Sequence, residues 1–250
     1  MERRPLSSLL VVAFVFATSA GCAAVPEPSS ETGYLSASRA DVLAGDMVSR
    51  EGARLTPDVV EGGDRWLLAT AHIELRPRYA LQHFDCALGV RSASGRTQAL
   101  ETALSRAFGD AGQVVDRLKA AAPATAAAAG GACRRRTMDN GETRSRPSRE
   151  TVVGAAYAEI LAAAAPDAAP AIRRIGHEIG VSQAICGVAA PDEVLQGERL
   201  GRRLGVEIVA TAAFQSDLPD LRREVQALRR SGLTHPGCAA ERLALSEPAL

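Results

Sequence analysis

Residues 151–165 read TVVGAAYAEILAAAA. Val152, Val153, Ala156, Tyr157, Ile160, Leu161 and Ala164 recur at steps of three and four, which puts them on one face of an α-helix that Pro166 ends. The same period runs through the flanking segments. Residues 169–180 form a shorter helix closed at Gly180, and 191–213 a longer one carrying Gly197, Gly201 and Gly205 on a single stripe. A glycine inside a helix costs roughly 1 kcal/mol relative to alanine, so three in register imply a close helix contact that offsets the cost. Residues 218–230 make a last helix, opened by Pro219 and stopped near Gly232. Upstream, 95–119 is amphipathic through Leu100, Leu104, Phe108, Val114, Val115 and Leu118, and 59–75 through Val59, Val60, Leu67, Leu68 and Ile73. No stretch alternates with period two, so the fold class is all-α, in a single helical domain.

Composition sets the frame for that domain. A chain of 250 residues with 46% hydrophobic and 23% charged residues can build its own core and is not generally disordered. Its formal net charge is zero, which gives no global attraction to nucleic acid or to an anionic membrane surface. Lys119 is the only lysine.

The N-terminus reads as an address. Arg3 and Arg4 precede an apolar run from Leu9 to Ala17, shorter than the roughly 20 residues of a spanning helix. Ala20-Gly21-Cys22 resembles the end of a bacterial lipobox, with Ser19 in place of the usual bulky aliphatic residue. Residues 1–21 are thus expected to be a lipoprotein signal peptide, with Cys22 lipidated; the alternative is plain secretion after cleavage behind Ala20 or Ala24. Ala23, not aspartate, follows the cysteine, which favours the outer membrane, facing the periplasm. Residues 22–33 are a Pro- and Ser-containing tether, 34–232 the helical domain and 233–250 a C-terminal tail.

Cys86, Cys133, Cys186 and Cys238 form an even set, which in an oxidising compartment suggests two disulfides out of three possible connectivities. Closing the segment around the 95–119 helix favours Cys86–Cys133, leaving Cys186–Cys238 to tie back the tail. There is no C-x-x-C and no sequence cluster of Cys and His, so no metal and no cofactor is expected. One segment departs from helical text: 120–133 is alanine-rich, and 134–149 is a basic loop whose arginines, among them Arg144, Arg146 and Arg149, are either a solvated surface or an anion site.

Pro147-Ser148-Arg149-Glu150 is followed, 39 positions after Glu150, by Ala189, which closes a stretch beginning Ser182-Gln183 and running through Ile185-Cys186-Gly187 to Glu193. With Phe84–Val90, Tyr34-Leu35 and Asp116…Lys119, these segments resemble, in order and spacing, the bacterial class A nonspecific acid phosphatases of the phosphatidic-acid phosphatase and vanadium haloperoxidase superfamily. The family motifs are K-x6-R-P, P-S-G-H and S-R-x5-H-x3-D. The resemblance implies an all-α fold and a phosphate pocket, in which the third-motif histidine attacks phosphorus and the second-motif histidine protonates the leaving group. A lysine, two arginines, a serine and a glycine N–H hold the equatorial oxygens.

Residue by residue, that equipment is depleted. Ala189 stands at the nucleophile, Glu150 at the acid, Gln183 at the third-motif arginine, Glu193 at the orienting aspartate and Arg149 at the cradle glycine, where its side chain is expected to crowd an incoming phosphate. The R-P of the first motif is absent. Lys119, Ser148 and Ser182 match the family, and Ser148 and Ser182 are expected near each other. His72, His83, His177 and His235 lie outside the motif positions, and His177 is expected to serve helix packing. The reading is an exported acid-phosphatase-like protein that keeps the fold and lacks the chemistry, with a binding or structural role in the cell envelope. Its expected partner is at most phosphate or another small anion, with membrane contact only through the lipid anchor. The alternative is an acid phosphatase, a phosphomonoesterase working through Glu150 with Lys119, Arg146 and Arg149 on the phosphate.

Overall fold

The computed structural model describes residues 33–45, 59–121, 133 and 147–246; residues 1–32, where the signal peptide, Cys22 and the tether are expected, and the Ala- and Arg-rich segments 122–132 and 134–146, with Arg144 and Arg146, lie outside the described residues. Every element among those described is helical. In chain order these are α1 (Ala37–Gly45), α2 (Asp64–Ala71), α3 (Pro77–Ala80), α4 (Asp85–Leu88), α5 (Gln98–Ala121), α6 (Arg149–Ala164), α7 (Ala169–Ile185), α8 (Pro191–Ala210), α9 (Ala212–Arg230) and α10 (Cys238–Ala244), with short 3₁₀ turns between some of them. No helix among the described residues is long and apolar enough to cross a membrane.

α6 is the centre of the bundle and is buried nearly all round, not on one face only. The reason is its alanines and glycine, which let neighbours approach from several sides. On one side α8 meets it along the glycine stripe: a Cβ on Gly201 would lie 2.3 Å from the Val152 carbonyl oxygen, and one on Gly205 would lie 2.7 Å from Glu159 Cβ. On another, α7 meets it through Gly176, where a Cβ would lie 2.6 Å from Ala158 Cβ. α5 closes a third side with Leu100, Leu104, Val114 and Val115, all fully buried.

Four boundaries differ from the sequence reading. α2 covers only Asp64–Ala71 of the expected 59–75. α7 runs through Gly180 to Ile185, because Gly180 is a contact point: a Cβ there would lie 2.9 Å from Thr151 Cγ2 and 3.1 Å from Val194 Cγ1. The expected 191–213 helix breaks at Thr211, whose hydroxyl accepts from Phe214 N at 3.2 Å and so starts α9 early. Pro219 therefore sits inside α9 and does not open it.

The cysteine pairing also differs. The bridges are Cys86–Cys238 and Cys133–Cys186, with Cα separations of 5.4 and 5.0 Å. The tail folds back over α4, with His235 N donating to Val90 O at 3.1 Å, and this delivers Cys238 to Cys86. Cys133 lies instead with Cys186 in an apolar cluster with Ala69, Ile73, Val181 and Ile185. The tail is thus partly ordered as α10, and Arg174 Nη2 donates to Leu245 O at 2.8 Å.

The start of the domain is fastened as well. Tyr34 N donates to Asp110 Oδ2 at 2.8 Å, and its hydroxyl donates to Asp217 Oδ2 at 2.9 Å. The Arg106 guanidinium lies 3.7 Å from the Tyr34 ring centroid. Burial pushes the Asp110 carboxyl up to about 6.

Two glycines predict opposite outcomes. Gly201→Ala must push Val152 O and Ala155 aside, and is expected to lower stability by about 1–3 kcal/mol. Gly109→Ala on exposed α5 surface meets nothing within 4 Å and is expected to raise it by about 0.5–1 kcal/mol; denaturant titration reads both. On α10, burial and then the charge of Asp85 raise Glu241 to about 7. A carboxyl raised in the folded state makes its stabilising contribution at low pH and loses it as pH climbs through the folded value. Glu241→Gln should therefore melt higher than the wild type near pH 8, with the gap narrowing toward about pH 5.

Candidate functional site

The motif residues gather where the first turn of α6, the last turn of α7 and the first turn of α8 meet. Thr151 is the hub: besides its contact at Gly180, a Cβ on Gly197 of α8 would lie 2.8 Å from Thr151 Cβ.

Ser148 is the N-cap of α6, its hydroxyl oxygen accepting from Thr151 N at 3.4 Å and its proton going to Glu150 Oε2 at 3.1 Å. Both functions of the hydroxyl are local, and the side chain is buried. Arg149 does not crowd the cradle as expected. Its Nη2 donates to Asp116 Oδ1 at 2.5 Å, and its guanidinium lies along α5 beside Gly112. The unlike charge on α5 draws it there. Lys119 lies one turn beyond Asp116, half-buried in the last turn of α5.

The second serine is engaged elsewhere. Ser182, fully buried, donates to Glu178 O at 2.7 Å one turn back and accepts from Arg65 Nη1 at 3.2 Å. His72 Nδ1 lies 2.9 Å from the same oxygen. With the hydroxyl proton on Glu178 O, the ring must donate, which places the His72 proton on Nδ1 and leaves Nε2 buried without a partner among the described residues. Burial first, then the neighbouring His83 and Arg65, hold His72 well below the ordinary histidine range, so the ring is neutral. Arg65 also pairs with Glu178 at 2.9 Å, and His83 stacks edge-on against His72 at 5.1 Å. Ser148 and Ser182 thus share one end of the bundle, but one faces its own helix turn and the other faces α2.

Gln183 is fully buried; its Nε2 donates to Ile179 O at 3.5 Å and its Oε1 has no partner among the described residues. Its backbone oxygen accepts from Val188 N at 2.9 Å and Ala189 N at 3.2 Å, a turn made possible by Gly187 at φ 68°. Ala189 follows, 3% exposed, packed with Ala184 and Val194. Glu193 Oε2 accepts from Ala190 N at 2.8 Å and so caps α8. No nucleophile stands at 189, and the acid at 193 serves a helix end.

Arg65, His72 and Glu178 around Ser182 escape sequence reasoning: His72 lies 110 residues from Ser182 and in no motif. Of the other histidines, His177 pairs with Glu198 at 3.0 Å on the bundle surface, a hydrogen bond that raises its pKa, and His83 lies beside Glu74 O at 2.9 Å. His235 comes within 4.8 Å of Cys238, three residues on, and of the distant Cys86, but both sulfurs are taken by the disulfide and offer no thiolate.

No family model matches the chain. An acid phosphatase of Zymomonas mobilis subsp. mobilis is 26% identical over 179 residues, 70% of this chain and 68% of that protein. The chain is acid-phosphatase-like in sequence, and its all-α single domain is consistent with such a fold.

Proposed function

We propose that this is a non-catalytic acid-phosphatase-like protein of the cell envelope, exported as a lipoprotein through Cys22 and retained for a binding or structural role. The observation that carries the reading is Ala189: the position matching the family's nucleophile is a methyl group sealed against Ala184 and Val194. The surroundings agree. Glu193 has a helix N-terminus to cap, Gln183 brings no cation, and Arg149 is committed to Asp116. Removing one donor to the developing charge costs roughly 3 kcal/mol of barrier, and here the covalent route is missing as well. A cleft of about 1150 Å³ elsewhere on the molecule has none of Lys119, Glu150 or Ala189 in its lining.

The purified protein is expected to release no chromophore from an aryl phosphate above a heat-killed control, at acid or neutral pH. Wild-type turnover that disappears in Glu150→Gln would transfer the chemistry to that carboxylate and make the protein a phosphomonoesterase. Cys22→Ser is expected to move the protein from the membrane to the soluble fraction; unchanged fractionation, with no acyl mass on Cys22, would remove the lipoprotein reading.

A further inference from the structure

The two disulfides have different surroundings. Cys133 is 6% exposed and Cys186 fully buried, in an apolar cluster with Ala69, Val181 and Ile185. Cys86 and Cys238 are only half-buried, where the tail crosses α4. A sealed bridge resists thiol exchange, whereas one within reach of solvent is open to it. His235 stands beside the accessible pair: a ring nitrogen and the two sulfurs all lie within 4.8 Å of one another.

Once reduced, these three side chains are a metal-ligand set. Two thiolates and an imidazole suit a tetrahedral thiophilic cation, zinc first, and not magnesium or calcium, which take oxygen. With Zn–S of about 2.3 Å and Zn–N of about 2.0 Å, ligand atoms on one tetrahedral zinc stand roughly 3.5–3.8 Å apart. The three atoms already lie within a spread of 4.8 Å, so little rearrangement separates them from that geometry. His235 Nδ1 accepts from Gly237 N at 3.1 Å, so this nitrogen carries a lone pair and not a proton, and a cation would take the lone pair from the Gly237 N–H. The ligands come from two segments, Cys86 from α4 and His235 with Cys238 from the tail. A cation held between them would fasten the tail as the disulfide does. Asp85 beside Cys86 and Glu241 one turn after Cys238 add negative charge to the neighbourhood, with Arg91 and Arg242 offsetting part of it.

We propose that Cys86, Cys238 and His235 form a redox-gated zinc site, closed while the two sulfurs are bonded to each other and open to one Zn²⁺ once they are reduced. The reductant is a dithiol. Its thiolate attacks one sulfur of the bridge, and its second thiol resolves the mixed disulfide. Two electrons thus pass to the bridge, which becomes two thiols, and the reductant becomes the disulfide. Zn²⁺ binding then releases the two thiol protons to solvent, and water fills the fourth position. Ala189, Glu150 and Gln183 take no part, so this site stands or falls apart from the reading of the motif positions.

To test it, the full chain is reduced with a phosphine without denaturant, freed of reductant by anaerobic gel filtration and titrated with zinc sulfate. Native mass spectrometry counts the metal, and alkylation with peptide mapping shows which cysteines it covers. Mild reduction is expected to open Cys86–Cys238 before Cys133–Cys186 and to keep the helical circular dichroism. The oxidised protein should take no zinc and the reduced protein one, which protects Cys86 and Cys238 from alkylation. His235→Ala should weaken zinc binding by about tenfold or more, and His177→Ala, on the bundle surface, should leave it unchanged. Opening of Cys133–Cys186 first, no zinc on the reduced protein, equal zinc on the oxidised protein, no protection of Cys86 and Cys238, or undiminished affinity in His235→Ala overturns the proposal.

Discussion

Between Gly201 and Val152 the backbones of α6 and α8 come so close that a methyl group has no place. That approach organises the molecule. It draws the first turn of α6 into the space between α7 and α8, where Thr151 is clasped by Gly180, Val194 and Gly197. Once α6 is enclosed on several sides, its residues must be small or apolar. The alanine-rich sequence is a consequence of this position as much as a helix-forming preference. Polar residues at the three helix ends then satisfy backbone groups of their own segments, as a buried helix end requires.

The motif positions reflect that requirement. Ser148, Gln183 and Glu193 are buried polar residues whose hydrogen bonds run to backbone or to immediate neighbours in sequence. Ser148 and Glu193 cap helix ends, each by an amount of order 1 kcal/mol, while Gln183 bonds back within α7 and leaves its Oε1 without a partner among the described residues. In a phosphoryl-transfer site the same kinds of group would be aimed at a ligand and would cost stability in its absence. Here the polar residues are turned inward, and Ala189 is packed against Ala184 and Val194. The motif positions thus have structural work in this fold, and the buried Arg65–Ser182–His72 network adds to it by tying α2 to α7.

How much of this was legible in the sequence depends on the range of the interaction. The helices and the glycine stripe are periodic and local, and Gly197, Gly201 and Gly205 announced a close contact before its partner was known. Gly180 misled because a glycine that ends a helix and one that admits a neighbour look alike in one dimension. Pro219 misled because a stronger start signal, the Thr211 hydroxyl, lay earlier in the chain. The disulfide pairing could not be read, since it depends on the tail crossing back over α4, a contact made by His235 and Val90. At the site, the substitutions at 149, 150, 183, 189 and 193 were plain, but their new bonds were not. That Arg149 pairs with Asp116 follows only from the packing of α5 beside α6.

Orthovanadate takes the geometry of a phosphoryl group in transfer, and a pocket built for that reaction holds such an analogue far more tightly than a substrate. Calorimetric titration of the wild-type protein with orthovanadate therefore tests directly whether the motif positions still form a working pocket. The account predicts no saturable heat, and no difference between the wild type and Ser148→Ala. Tight binding that Ser148→Ala or Lys119→Ala abolishes would show a functional phosphate pocket at the end of α6 and contradict the account.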